Sequence, residues 1–306
     1  MRQGSAMSSH LPNLTVQQLE YLVAAADAPT RAAAASGLGV TPSALTQGLA
    51  ELERRVGLHL FERRGRHTEL RPQAAAVLAH ARRVVAETGD LARWARAQRT
   101  GSSGLVRLGA IDVVAVHHRA DAIRAYRHGR PDVDLHLTVA PSGVLLDGLT
   151  AGDLDVVVCV EPVVPPDGID FRRCLDEPLY VYAPEPDALR PPPQWGPWVT
   201  FPAGSHTRVL IAAGLAALGA PFQVVAESNQ PDVLSEMVRL GLGWTVLPAA
   251  QAGAGTEPLV PVRSDPVAHR RLVVGRRSAA PPDPAADALA DALADQPPGT
   301  SADPGR

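Results

Sequence analysis

Apolar stripes of helical period fill the first hundred residues, and a strand–helix rhythm follows. Val16, Leu19, Leu22, Val23 and Ala26 share one helical face, which predicts an amphipathic helix. "DAPT" interrupts it, and Thr30 is placed to cap a second, short helix through "RAAAAS". "GLGV" reads as a turn. Thr41 then caps a third helix, with Pro42 at its first position, where a missing N–H costs nothing. Leu45, Leu49, Leu52 and Val56 recur at steps of four, three and four, one buried stripe, and Gly57 ends the helix. "LHLFERRGRHTEL" reads as two short strands around Arg64-Gly65-Arg66. Helix, short helix, turn, helix and basic hairpin together predict a winged helix-turn-helix.

Pro72 opens a long helix running to about Gln98. Its row Val77, Ala81, Val84, Thr88, Leu91 and Ala95 suits packing against a partner helix or against the chain's own domain. "RTGSSG" (99–104) is a linker. Beyond it, "LVRLGA", "VDLHLTV" and "LDVVVCV" are strand candidates separated by helices near 116–128 and 143–151, a βαβ rhythm that predicts a mostly parallel sheet. A second unit has strands near 179–183, 198–201, 222–227 and 243–247, with helices at about 206–218 and 231–240. "VVPP" (163–166) and "RSDP" (263–266) read as crossings between two subdomains, and a strand at 271–275 returns to the first. The Ala- and Pro-rich end predicts a flexible tail over 279–306, with at most a short helix at 285–294.

The expected organisation is therefore a winged helix-turn-helix domain at 13–71, a linker helix suited to dimerisation at 72–100, and a two-lobed α/β domain at 104–278. Within the last, 104–162 and 267–278 form one subdomain and 163–266 the other. Charge sharpens this division. Residues 1–100 hold 13 Arg against 8 acids, whereas residues 101–306 hold 16 Arg against 24 acids. A basic front on an acidic remainder points to a polyanion partner for the front alone. Every basic residue is Arg, with no Lys, which tracks the Ala, Pro and Gly load and carries no functional weight. The two cysteines, Cys159 and Cys174, lie in apolar surroundings without CxxC spacing and read as reduced, partly buried thiols. "MRQGSAMSSH" lacks the apolar core of a signal peptide, and the longest apolar run is far below the roughly 18 residues of a membrane helix. A cytoplasmic protein is the expectation.

The candidate chemistry lies at the start of the third helix. Its first turn carries no acid, although the positive end of a helix favours one. That leaves room for an external anion such as a DNA phosphate. With 45, 49, 52 and 56 facing inward, positions 43, 46, 47 and 50 turn outward. Gln47 can pair bidentately with adenine, and Thr46 can meet a base edge or a thymine methyl. An ordinary solvated face is the alternative. Catalytic and metal signatures are missing: the sequence has no HExxH, CxxC, GxSxG or GxxxxGK, and the adjacent His117 and His118 point to different helix faces. No cofactor is expected.

"LEYLVAAAD", "TPSALTQGLAELERRVGLHLFER" and "PQAAAVLAHARRVV" resemble the DNA-binding and linker segments of LysR-type transcriptional regulators. "LTAGDLDVVV" and "VRLGLGWTVLP" are similar to the sensor signatures of that family. The likeness covers about 14–277, with 41–63 its most specific part. It implies an α+β and α/β multidomain fold: an N-terminal winged helix-turn-helix, a long linker helix and a C-terminal two-subdomain sensor like a periplasmic binding protein. It also implies a homodimer or homotetramer that binds double-stranded DNA and a small-molecule effector held between the subdomains. Carried over, the DNA-binding set is Thr41, Pro42, Ser43, Thr46 and Gln47, with Arg63 and Arg64 on phosphates and Arg66 of the wing tip in a minor groove. Two residues depart from the family pattern. Arg31 stands where a phenylalanine is usual and can reach a phosphate; Gly48 lies inside the recognition helix at a cost of roughly 1 kcal/mol against Ala.

Open α/β sheets bind ligands beyond the carboxyl ends of their strands. That rule selects Asp112, Ser142, Ser205, His206, Asn229 and Gln230 as effector-binding candidates, each of which can equally be a helix cap facing away. An inward Asp112 would favour an amine or a neutral molecule over a simple carboxylate. The competing reading, an enzyme or solute-binding protein on the same two-lobed fold, needs a converged acid–base set that these scattered residues do not provide. A DNA-architectural protein with a vestigial sensor is a third.

Overall fold

Three threonines set the starts of the first three helices. Thr15 accepts from the Gln18 N–H (3.2 Å) while the Gln18 side chain accepts from the Thr15 N–H (3.1 Å), and this reciprocal cap opens α1 (Val16–Asp27). Thr30 and Thr41 accept from the Ala33 and Ala44 N–H groups and open α2 (Arg31–Gly37) and α3 (Pro42–Val56). Each cap satisfies a donor that the helix itself leaves unpaired, an effect of about 1 kcal/mol. Gly57, at φ 75°, closes α3 in the left-handed conformation. An antiparallel hairpin follows, β1 (Phe61–Arg64) and β2 (His67–Leu70), with Phe61 opposite Leu70 and Arg64 opposite His67. Leu45, Leu49 and Leu52 of α3 are buried with Leu19, Leu22 and Leu60. Each such side chain contributes roughly 1.5–3 kcal/mol. After a 3-10 turn at Pro72–Ala74, α4 (Ala75–Thr100) lays Leu78 and Ala81 onto the same core.

The computed structural model describes residues 13–64, 67–100, 104–185, 190–253 and 258–294. By contact the chain divides into two units, Met1–Arg93 and Trp94–Arg306.

The second unit begins with β3 (Leu105–Ala110), a π-helical turn at Val114–His118 and α5 (Ala120–Gly129). It continues with β4 (Asp134–Val139), α6 (Ser142–Ala151), β5 (Val156–Val160) and a 14-residue strand, β6 (Ile169–Tyr182). Then come β7 (Trp198–Thr200), α7 (His206–Ala217), β8 (Val224–Glu227), α8 (Pro231–Arg239) and β9 (Thr245–Pro248). The unit ends with α9 (Ala249–Ala252), β10 (Ala268–Arg277) and α10 (Pro284–Leu293).

One six-stranded sheet, ordered β4-β3-β5-β10-β6-β9, runs through both lobes. β3 is parallel to β4 and β5, as the βαβ rhythm requires, but β10 and β6 are antiparallel. The expectation of a mostly parallel sheet is corrected to a mixed one. The crossings between lobes are these two long strands and not the Pro-bearing loops. The strand expected near 179–183 is only the end of β6; its first part escaped the hydrophobic pattern because Asp170, Arg172, Arg173, Asp176, Glu177 and Pro178 break it. In the second lobe β7 and β8 form a parallel pair, joined to β9 by a bridge between Trp198 and Trp244. Each lobe has its own core, one around Val156, Val157, Val158 and Leu145, the other around Trp198, Trp244, Leu234 and Val246. A Cβ on Gly214 would stand 2.1 Å from the Val267 carbonyl oxygen, so only glycine lets α7 lie this close to the start of β10.

The short helix allowed at 285–294 within the expected flexible tail forms over 284–293, and it is docked. Asp283 caps α10, which buries Ala286, Leu289, Ala290 and Leu293 in the first lobe's core, and the Tyr126 hydroxyl donates to the Ala285 carbonyl (2.9 Å).

Candidate nucleic-acid interface and ligand cleft

With Leu45, Leu49 and Leu52 turned inward, Pro42, Ser43, Thr46 and Gln47 are exposed together on α3. The Thr46 hydroxyl donates to the Pro42 carbonyl (2.8 Å). Its proton is thereby engaged, and toward a base it presents lone pairs and a methyl group. Thr41 Oγ1 accepts the Ala44 N–H and keeps its own proton for an outside acceptor. At the other end of the helix, Arg54 and Arg55 both bond Glu51 (2.6 Å and 2.5 Å) and lower its carboxyl to about 2. Both arginines, Arg54 exposed and Arg55 half-buried, are answered within the helix. Glu53 accepts from the Leu60 N–H (2.7 Å) and so ties α3 to the base of the wing.

Arg63 and Arg64 occupy β1, opposite Thr68 and His67. Arg66 lies outside the described residues. Arg31 stacks over the Phe61 ring at 5.0 Å from its centroid, which keeps a hydrophobic contact at the wing base with a cation in place of an aromatic ring. Gly48 has a steric reason: a Cβ there would stand 2.4 Å from Tyr21 Cδ2. The ring of Tyr21 on α1 fills the space that any larger residue on α3 would need.

In the second unit the six effector candidates separate. Asp112 follows β3, and its Oδ2 accepts from Gln251 Nε2 (2.7 Å), a bond that joins the carboxyl ends of β3 in one lobe and β9 in the other. Burial pushes the Asp112 carboxyl up, against the Val113 N–H and Arg270 and with Asp232 and Glu177. Ser142 is buried, and its hydroxyl accepts the Val160 N–H (3.2 Å), so it fastens α6 to β5. Ser205 and His206 begin α7 half-buried. Ser205 makes no side-chain cap, and His206 Nδ1 is buried without a partner. Asn229 and Gln230 are exposed before α8, where the Gln230 N–H donates to Ser228 Oγ (3.0 Å).

Sequence reasoning missed the polar cluster between the lobes. Glu177 of β6 and Arg270 of β10 face each other at 2.6 Å, both almost fully buried. His118 Nε2 lies 2.5 Å from the second Glu177 oxygen, and Arg270 Nη1 donates to Thr207 of α7 (3.1 Å). Burial acts to raise Glu177, but the His118 hydrogen bond and the Arg270 guanidinium outweigh it and hold the carboxyl below the usual range. The carboxyl-end rule, applied to β9 as well, would have found Gln251; nothing in the local pattern marks Glu177 or Arg270. Cys159 and Cys174 are both buried, and burial pushes the Cys159 thiol up to about 12, which keeps it protonated and unreactive at neutral pH. Among the described residues no His, Cys, Asp and Glu group could hold a metal ion, and no helix is long and apolar enough to cross a membrane.

Two family models match this chain. "Bacterial regulatory helix-turn-helix protein, lysR family" covers residues 16–75, and "LysR substrate binding domain" covers residues 99–298. The HTH-type transcriptional regulator IlvR of Caulobacter vibrioides is 28% identical over 282 residues, covering 88% of this chain and 94% of IlvR. Among solved structures, a full-length OxyR variant from Pseudomonas aeruginosa has a TM-score of 0.64 at 22% identity, covering 92% of this chain and 94% of that one. Full-length CbnR complexed with its target DNA has a TM-score of 0.58 at 21% identity, covering 92% and 99%. The family consists of transcriptional regulators, not enzymes, that bind DNA and small-molecule effectors and act as oligomers. With both of its domains matched, and the sensor model alone spanning well over half of the chain, this protein belongs to the LysR family of bacterial transcriptional regulators.

Proposed function

We propose that the exposed start of α3 reads an operator in the major groove through Ser43, Thr46 and Gln47, with Thr41 and Pro42 against the backbone. Arg63 and Arg64 meet phosphates, and Arg66 enters the adjacent minor groove. The observation that carries this reading is the face itself: four exposed residues, free of acid, over a fully buried leucine stripe. Arg31 adds a cation beside the wing base with no carboxylate partner among the described residues, and it suits a further phosphate. In a helix-turn-helix the first helix crosses the backbone, which places the start of α2 there. The loops after β3, β4, β7 and β8 hold the effector, helped by α6 and α7, whose starts no side chain caps. Dimers or tetramers assemble through α4, and the protein works in the cytoplasm.

A mobility-shift assay on DNA upstream of the chain's own gene, with a salt series, tests the interface. Gln47→Ala is expected to cost about 1–3 kcal/mol and to relax specificity at one operator position. Arg64→Ala is expected to weaken all DNA alike and to lower the salt slope by about one unit. Equal behaviour of the two variants across sequences would remove the assignment.

A further inference from the structure

The loops between the lobes hold two carboxylates that form no ion pair among the described residues. Asp112 follows β3, Asp232 lies in the first turn of α8, and each is close enough to the other for their charges to repel. Arg270 lowers the Asp112 carboxyl from nearby and keeps its Nη2 buried without a partner, but it forms no ion pair with Asp112 and gives its Nε to Glu177 at 2.6 Å. A third group makes this more than an acidic patch. Gln251 is 3% exposed; its Nε2 is committed to Asp112, and its Oε1 is buried without a partner. A buried acceptor left unpaired is costly, and native structures seldom keep one without a reason.

An ionised carboxylate and an amide carbonyl offer lone pairs and no protons. Asp112 and Gln251 Oε1 therefore form a pair of acceptors with an open demand for N–H donors, and the exposed Asp232 adds a second negative charge that acts on Asp112. Building on the reading of these loops as the effector site, we propose that the effector carries a cationic amine, seated against Asp112 and Gln251 Oε1. An ammonium brings three donors and the missing charge in one group. A carboxylate at the same point would add a third negative charge and leave Gln251 Oε1 unpaired. The uncapped starts of α6 and α7 follow the neighbouring strands and suit an acceptor elsewhere on the ligand, so an amino acid or another amine with a second polar end satisfies both sides.

Thermal shift on the full chain tests the proposal with lysine, alanine, 4-aminobutyrate and putrescine, alongside hexanoate, propionate, butyrate and 1,4-butanediol as amine-free counterparts. At least one amine is expected to raise the melting temperature by roughly 5 °C at a hundredfold excess over its Kd, with no shift from its counterpart. Asp112→Asn keeps an acceptor for Gln251 while removing the charge, and it is expected to weaken that amine at least about tenfold by titration calorimetry. An unchanged affinity in Asp112→Asn overturns the proposal. Stabilisation by the amine-free set in place of the amines overturns it too, while leaving the loops as the effector site. If no compound of either set shifts the melt, both readings fall.

Discussion

At Gly48 helix propensity and packing oppose each other. Alanine is favoured over glycine in a helix by about 1 kcal/mol, so Gly48→Ala should stabilise α3 on propensity alone. The ring of Tyr21, 8% exposed, stands 2.4 Å from where the new Cβ would go, and overpacking a filled core typically costs about 1–3 kcal/mol. We expect Gly48→Ala to lower stability. Gly37, at the end of α2, has nothing within 4 Å of an added Cβ, and Gly37→Ala should raise it by up to about 1 kcal/mol. Urea denaturation of the two variants decides the matter; if both stabilise alike, Tyr21 yields and steric exclusion is not why glycine stands at 48. The leucine stripe of α3 was legible because its period is local. The reason for Gly48 was not, since the residue that demands it lies 27 positions away in another helix. Arg31 is a similar case: the sequence marks it as unusual, but only the fold shows the Phe61 ring beneath it.

Among elements, those with one strong face were readable, and those built from mixed pattern were not. Caps at Thr15, Thr30 and Thr41 and the stripe of α3 follow from short-range rules. β6 is a core strand through two lobes, yet before 179 its charges answer partners across β10 and elsewhere, so only its last residues read as a strand. The helix of α10 was legible at 285–294, but its docking was hidden by composition. "PAADALADAL" is small and half-polar, but Ala286, Leu289, Ala290 and Leu293 turn to one side and are buried. Leu289 is 0% exposed within the first lobe's core. Leu289→Ala is therefore expected to destabilise the sensor by about 2–5 kcal/mol, the range for truncating a buried leucine. The exposed neighbour Asp291, which pairs with Arg172 at 2.6 Å on the surface, should matter far less: Asp291→Ala is expected to cost under about 1 kcal/mol. Calorimetry on both variants separates a docked helix from a loose tail, because a loose tail would make the two substitutions alike.

The two lobes are joined by β6 and β10, and one buried ion pair sits where these strands cross between them. Glu177 and Arg270 come from the two crossing strands, His118 from the first lobe and Thr207 from the second, so the cluster couples the lobes that the effector is proposed to bridge. Removing one partner of such a pair leaves a buried charge uncompensated, at a cost of about 3–5 kcal/mol. Glu177→Gln should show that loss near neutral pH, and exchanging Arg270 as well, in Glu177→Gln with Arg270→Met, should recover much of it, since apolar replacements of a whole buried pair are often neutral or better. The pH dependence has a definite sign. The folded carboxyl of Glu177 lies below its ordinary value, so its stabilisation is fully present above the unfolded pKa of about 4.3 and is lost as pH falls through the lower folded value. Asp112 behaves in the opposite way: its folded carboxyl is raised, so its contribution is present at low pH and is lost as pH rises through that folded value. Denaturation of the wild-type chain below about pH 4.5 should thus steepen through Glu177, and Glu177→Gln should flatten that acid limb while leaving the part due to Asp112 in place. An unchanged acid limb in Glu177→Gln, with wild-type stability at pH 7, would mean that the buried pair does not hold the lobes together.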